Sequence, residues 1–579
     1  MSEDRHPAGS GQERPLTQTR EATPPSAGAR SPGRRGFLLG VGGLAAAALV
    51  GPGGRWSRSE QVTSAGPTST QPVGSGSPLD LEARRARALQ LRITTAQQQL
   101  GDPFPQPAPN GDEDRYDIVG LANFTKALPH NDLGEVDPGA YRALRRALRS
   151  GRSQNFKRIP LGGRVKLANP EGAFSFELQG PDPWQRPLQA PPTLNSEAFA
   201  GEMTECYWLA LARDVPYSRY GQEPITAAAI TDLRAFADHQ GLDARTLFRA
   251  TDAALPGVTT GPYISQFLLQ PYTFGSTPTE QRYRTTVAGS DHLTSYPDWL
   301  AVQNGQPTTA TARYDPTPRF LRNGRDLGEW SHRDFSYQGP LVAALILLGY
   351  LARYGPQVLS ETNPYRDHPT QTGAVTFGAP DILDQVARSA NPAMKAAWYH
   401  KWLVHRRLRP EEAGGRIHHH LIGAAEYPLH PKLTGSAVLD RLYATHGSYL
   451  CPQAYPEGCP THPAYPGATA AIGGAGVRVL KALFNPEFVL PEPVVPSDDG
   501  LSLRPYKGEP LTVGGELNKL AFNMAFGRDT AGVHFRRDEI EGILLGEGAY
   551  NSAPASTDSA PAGDASIEGY ERGGYEYSR

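Results

Sequence analysis

The 579-residue chain carries 57 Lys and Arg against 59 Asp and Glu, a net charge of −2 that gives no electrostatic case for binding nucleic acid. Three cysteines are too few for a disulfide-stapled scaffold, while 62 glycines and 54 prolines call for long loops and polar ends. The length is sufficient for one large core or for several domains.

In chain order, residues 1–30 and 55–78 are rich in Ser, Gly, Pro and Thr and read as a disordered leader and linker. Between them, residues 31–54 ("SPGRRGFLLGVGGLAAAALVGPGG") set Arg34 and Arg35 before Phe37 and a weakly apolar Ala/Gly run. That pattern resembles a twin-arginine translocation signal, a receptor-read address, and predicts export to the periplasm or beyond. The apolar run is short and interrupted by glycine, so no stable membrane anchor is expected.

Residues 79–550 form the body. Apolar residues recur at three- and four-residue intervals in "SEAFAGEMTECYWLALARDV", "GPLVAALILLGYLARYG", "NPAMKAAWYHKWLVHRRLRP" and "GGELNKLAFNMAFG", as buried helix faces require. No region alternates as strands do, and no repeat of fixed period is present. The expected fold class is all-α: a large helical bundle domain with long Pro/Gly-rich loops. The Pro-rich stretch 486–512 leaves a division into two smaller domains open, and residues 551–579 read as a disordered tail.

Three motifs concentrate ionisable groups. In "KWLVHRRLRP" a continuous helix ending at Pro410 would put Lys401, His405 and Arg409 on one side, able to converge on an anion. A basic solvated face is the alternative. The second, "CPTHPAYPGATAAIGGAGVRVLKALF", is a turn opening a small-residue helix, with His462 before it and Gly467, Ala468 and Thr469 at its tip. In the third, "FGRDTAGVHFRRD", a helix should end near Gly527, with Asp529 or Thr530 capping the next. Arg528 is followed by His534 and Asp538 at i, i+4, where a carboxylate can hold one imidazole nitrogen and free the other. Cys451 and Cys459 either pair in an exported protein or stay as two free thiols. His418, His419 and His420 are consecutive and cannot all face one ion on a helix. Tyr207, Trp208, Trp398 and Trp402 are expected in the core.

Taken together, Lys-x7-Arg-Pro, His-Pro-x-Tyr-Pro and Arg-x5-His-x3-Asp resemble the vanadium-dependent haloperoxidases, within the acid-phosphatase (phosphatidic acid phosphatase type 2) superfamily. The seven residues between Lys401 and Arg409, with "NGDEDRY", "ANFTKALPHNDLGEVDP" and "RDFSYQ", are similar to the bromoperoxidase branch. The resemblance implies vanadate as cofactor, with phosphate able to take its place, and hydrogen peroxide, halide and a small organic acceptor as partners. It implies that Lys401, Arg409 and Arg528 face the oxyanion, that His534 ligates the metal and that Asp538 fixes its tautomer. His462 falls on the position of a proton shuttle with a pKa near neutrality, and Asp334 is a candidate partner in the acid–base network. Relatives are often homo-oligomers, and some carry structural calcium, for which no EF-hand-like spacing is present here.

One departure stands out. The Ser-Gly-His of the family's turn is Gly467-Ala468-Thr469, leaving the backbone N–H groups of Gly467 and Ala468 to point at the anion. Thr469 can hydrogen-bond the apical oxygen of the anion, but the missing histidine argues against phosphate ester hydrolysis, because threonine cannot deliver a proton near neutral pH. The expected function is therefore halide oxidation, bromide first. A phosphohydrolase of the same superfamily and an oxyanion binder without turnover are the alternatives.

Overall fold

The structure is a computed structural model that describes residues 81–101, 106–178, 181–186, 188–251 and 253–549. The leader, the twin-arginine segment, the linker and the tail lie outside the described residues. So do the first two and the last residue of the 79–550 body.

Helices dominate, joined by irregular loops. Ser196 caps the Glu197–Ala212 helix by accepting from Phe199 N–H, and the "GPLVAALILLGYLARYG" pattern becomes the Gln338–Tyr354 helix. Strands are confined to two antiparallel hairpins, Tyr272–Phe274 with Thr277–Thr279 and Val494–Pro496 with Leu503–Pro505. The second lies in the Pro-rich 486–512 stretch and is tied to the body where Gln266 Nε2 donates to the Val494 carbonyl and Val494 N–H donates to Gln266 Oε1. Among the described residues no single helix is long and apolar enough to cross a membrane.

The site is positioned by four helices. Ala468–Leu483 packs against Ala379–Tyr399, Val513–Thr530 and Arg536–Ala549. Its composition explains how closely they approach. A Cβ on Gly474 would overlap the Ile543 carbonyl, and one on Gly546 would overlap that of Ala471. These two helices therefore touch backbone to backbone, as only small residues permit.

Two local expectations are corrected. The helix through Lys401 does not continue to Arg409. It ends in a π-turn, His400–His405, and Arg406 takes a left-handed conformation at φ 45°. Pro410 opens the next helix, Pro410–Leu421, with Arg409 as its N-cap residue. Proline's fixed φ and missing donor suit a first helical position better than a last one. Likewise, Val513–Thr530 runs three residues past Gly527, so Asp529 and Thr530 belong to this helix and do not cap the next one. Gly532, at φ 82°, turns the chain, and His534 precedes the Arg536–Ala549 helix whose first turn holds Asp538.

Cys206, Cys451 and Cys459 are buried free thiols, so the Cys451–Cys459 bridge is absent. Cys459 instead lies against a buried ion pair: Lys126 Nζ donates to its carbonyl at 2.6 Å and to Glu411 Oε2 at 3.1 Å. Tyr207, Trp208 and Trp402 are core residues, but Trp398 is only half-buried and tilts over the His462 ring at 4.7 Å.

Candidate active site

The turn from His462 to Gly467 is the hub onto which the cations converge. Lys401 Nζ donates to the carbonyls of Pro463 at 2.8 Å and Ala464 at 2.5 Å. Arg409 reaches the same turn, donating to the carbonyls of His462 at 2.8 Å and Pro463 at 3.3 Å, and also bonds the Val533 carbonyl at 2.7 Å. The Pro463 carbonyl thus accepts from both cations, and the Val533 contact brings Arg409 beside His534. Arg528 enters from the Val513–Thr530 helix, its Nη2 bonded to the Ser331 carbonyl at 2.9 Å and to Asp334 Oδ1 at 3.3 Å. Arg528 Nε is buried without a partner.

His534 Nδ1 donates to Asp538 Oδ2 at 2.9 Å, which leaves the lone pair on Nε2. Asp538 is held in turn by Arg407 Nη1 at 2.7 Å and by Phe535 N–H at 3.0 Å. Arg407 also bonds Glu202 Oε2 at 2.6 Å, completing a buried chain from Glu202 to His534. Burial opposes ionisation of Asp538, but Arg407 and His534 outweigh it and hold its carboxyl well below the usual range.

His462 Nδ1 lies 3.0 Å from Arg409 Nη2 and 3.2 Å from the Pro463 carbonyl. Arginine only donates, so the nearer contact puts the lone pair on Nδ1 and the proton on Nε2. Burial, then Arg409 and Lys401, push its pKa well below the near-neutral value expected of it from the sequence. The same two cations, after burial, depress His534. Asp334 caps the end of the Gly324–Arg333 helix, and burial raises its carboxyl to about 6 against Arg528 and His332. Its ion-pair partner is Arg528.

At the turn's tip, Gly467 is the N-cap of Ala468–Leu483, but its N–H is engaged by the Asp538 carbonyl at 2.7 Å. Of the two amides expected to face an anion, that of Ala468 remains, in the first turn where helix amides lack internal partners. Thr469, half-buried in the same turn, makes no side-chain hydrogen bond within the described chain. Glu539, which no sequence pattern flagged, is buried beside them, and burial and Asp538 raise its carboxyl to about 8. Among the described residues no group of three or more His, Cys, Asp or Glu could hold a metal ion, His418–His420 included.

The electrostatics call for an anion. Lys401 and Arg409 are wholly buried; burial and then Arg409 drive the Lys401 ammonium well below its ordinary pKa. Lys401 and Arg409 repel one another in this buried setting, and a small oxyanion would relieve both that repulsion and the unpaired Arg528 Nε. The residues present therefore fit a bound oxyanion such as vanadate. Arg528 also borders a cleft of about 560 Å³ walled by His332, Tyr455, Glu457 and Thr461.

Fold and site together define a helical protein with a buried, cation-lined pocket. No protein-family model matches the chain. It is 38% identical over 456 residues to a vanadium-dependent bromoperoxidase of Ascophyllum nodosum, covering 74% of this chain and 80% of that one. Similarity to the vanadium-dependent bromoperoxidase of Corallina officinalis is 31% over 576 residues, covering 82% and 94%. The homohexameric second vanadate-dependent bromoperoxidase of A. nodosum superposes with a TM-score of 0.77 at 29% identity, covering 88% of this chain and 91% of that one. The chain belongs to the vanadium-dependent haloperoxidase family.

Proposed function

We propose that this protein is a vanadate-dependent peroxidase that oxidises bromide with hydrogen peroxide and delivers the halogen to a small organic acceptor. The observation that carries the reading is the shared Pro463 carbonyl, which brings Lys401 and Arg409 together beside His534 in a buried pocket. Lys401, Arg409 and Arg528 would hold the oxygens of the anion, and His534 would face it through Nε2. Bound vanadate supplies Lewis-acid activation of the peroxide, with no change of its own oxidation state. Asp538 fixes the His534 tautomer, Arg407 fixes Asp538, and neutral His462 presents an Nε2–H and can take a further proton only at the expense of Arg409's repulsion. The cleft beside Arg528 offers an approach for peroxide and halide.

Bromination of a phenolic dye by the purified protein, with and without added vanadate between about pH 5 and 8, tests the reading. Vanadate-dependent bromination is expected. Phosphate ester hydrolysis in its place would assign the chain to the phosphatase side of the superfamily. We further propose export by the twin-arginine segment, checked by fractionating cells that carry Arg34→Lys/Arg35→Lys, and assembly into a homo-oligomer, checked by light scattering.

A further inference from the structure

Glu539 stands one residue beyond Asp538, yet its surroundings differ. Its side chain is buried to 1% exposure, and neither carboxylate oxygen has a hydrogen-bond partner. Oε1 lies 3.6 Å from His534 Nδ1, a nitrogen already committed to Asp538 at 2.9 Å. Oε2 fills the space beside Gly467, where a Cβ would overlap it. These two contacts, with His534 and with Gly467, place it at the wall of the pocket, within electrostatic reach of Lys401, Arg409 and Arg528. A buried carboxyl group without a partner is costly, and the three cations direct their hydrogen bonds to backbone carbonyls, His462 and Asp334 instead. The missing partner is left to what the pocket binds.

We propose that Glu539 is a specificity-determining residue of the oxyanion pocket, accepting a hydrogen bond from a hydroxyl of the bound oxyanion in space left open by glycine at position 467. The proposal rests on the reading of the pocket as an oxyanion site. It names the ligand class more narrowly: tetrahedral oxyanions that keep a hydroxyl, such as vanadate and phosphate. Sulfate has the same shape but no hydroxyl, so it would bring bare oxygen against the carboxylate and be rejected. Glycine at the position where the family's turn carries serine then has a steric reason, since a serine side chain and Glu539 cannot share one volume.

Calorimetric titration of the full-length protein, dialysed free of oxyanion, tests this with phosphate, orthovanadate and sulfate at about pH 8.5, above the Glu539 pKa of about 8 and where phosphate has lost its second proton but keeps one hydroxyl. Phosphate and vanadate should bind, with sulfate weaker by roughly 100-fold or more. Glu539→Gln, whose amide donates, should improve sulfate relative to phosphate by about tenfold or more, and Glu539→Ala should shift the ratio the same way. Gly467→Ser should weaken phosphate binding by about tenfold or more, and adding Glu539→Ala to it should recover most of the loss. A phosphate-to-sulfate ratio unchanged in both Glu539 variants overturns the proposal while leaving the oxyanion pocket standing. Failure of the unsubstituted protein to bind any of the three overturns the pocket reading and this proposal together.

Discussion

His534 Nδ1 and Asp538 Oδ2 are 2.9 Å apart, although His534 lies ahead of the Arg536–Ala549 helix and Asp538 within its first turn. Asp538 also accepts from Phe535 N–H, so one carboxylate orders the helix entry and orients the imidazole. Replacing it with asparagine keeps the shape but removes the charge that fixes the Nδ1–H tautomer. Asp538→Asn should weaken vanadate binding about 10- to 100-fold with the fold intact. Calorimetry and circular dichroism on the same sample check both halves.

Arg407 carries a different burden. It joins Asp538 and Glu202, carboxylates far apart in sequence and both buried. Arg407→Met would leave two buried acids without their shared counter-ion, a loss of about 3–5 kcal/mol. Chemical denaturation should show it even in protein free of vanadate.

Much of the site could be read from the chain because its parts sit in short motifs. Lys401, Arg409, Arg528, His534 and Asp538 are brought together by the fold, and the helical faces around them follow the apolar periodicity. What spacing could not give was the geometry within the first motif. The left-handed Arg406 breaks the helix, so Lys401 and Arg409 meet through the Pro463 carbonyl rather than along one helical side. Arg407, Glu202 and Glu539 stayed illegible for another reason: their roles depend on burial against distant segments, which no local pattern encodes. Glu539 had one indirect signal, the glycine at 467 that makes room for it.

Thr469 lies in the first turn of the small-residue helix, and its side chain makes no hydrogen bond among the described residues. Its hydroxyl cannot exchange a proton near neutral pH, whereas an imidazole can. Thr469→His should raise bromination turnover by about tenfold or more if proton delivery limits the rate. Unchanged turnover across about pH 5 to 8 would show that His462 already meets that need.

Glycines in two helices should answer oppositely to alanine. Gly546 abuts the Ala471 carbonyl, so a methyl there forces the Arg536–Ala549 and Ala468–Leu483 helices apart. Gly546→Ala should cost about 1–3 kcal/mol or more. Gly349 is exposed within Gln338–Tyr354, and an added Cβ there meets nothing within 4 Å. Gly349→Ala should stabilise by about 0.5–1 kcal/mol through the entropy of the unfolded chain. Unfolding curves of the two variants make the comparison.

Acid should weaken the fold through Glu205. This carboxylate is 1% exposed and accepts from Arg536 Nε at 2.7 Å, within the helix that carries Asp538. Burial resists its ionisation, but Arg536 prevails and lowers its pKa from 4.5 to about 2. The unfolded chain therefore takes up the proton first as the pH falls. Stability from this group is fully present above pH 4.5 and is lost on the way down to about pH 2. The shift corresponds to about 3 kcal/mol. Glu205→Gln should be less stable than the parent at neutral pH, yet its stability should fall less steeply across that window. Parallel unfolding curves for the two proteins at every pH would mean that Glu205 does not carry the acid sensitivity, and the Arg536 pair would then have to keep its proton affinity unchanged on unfolding.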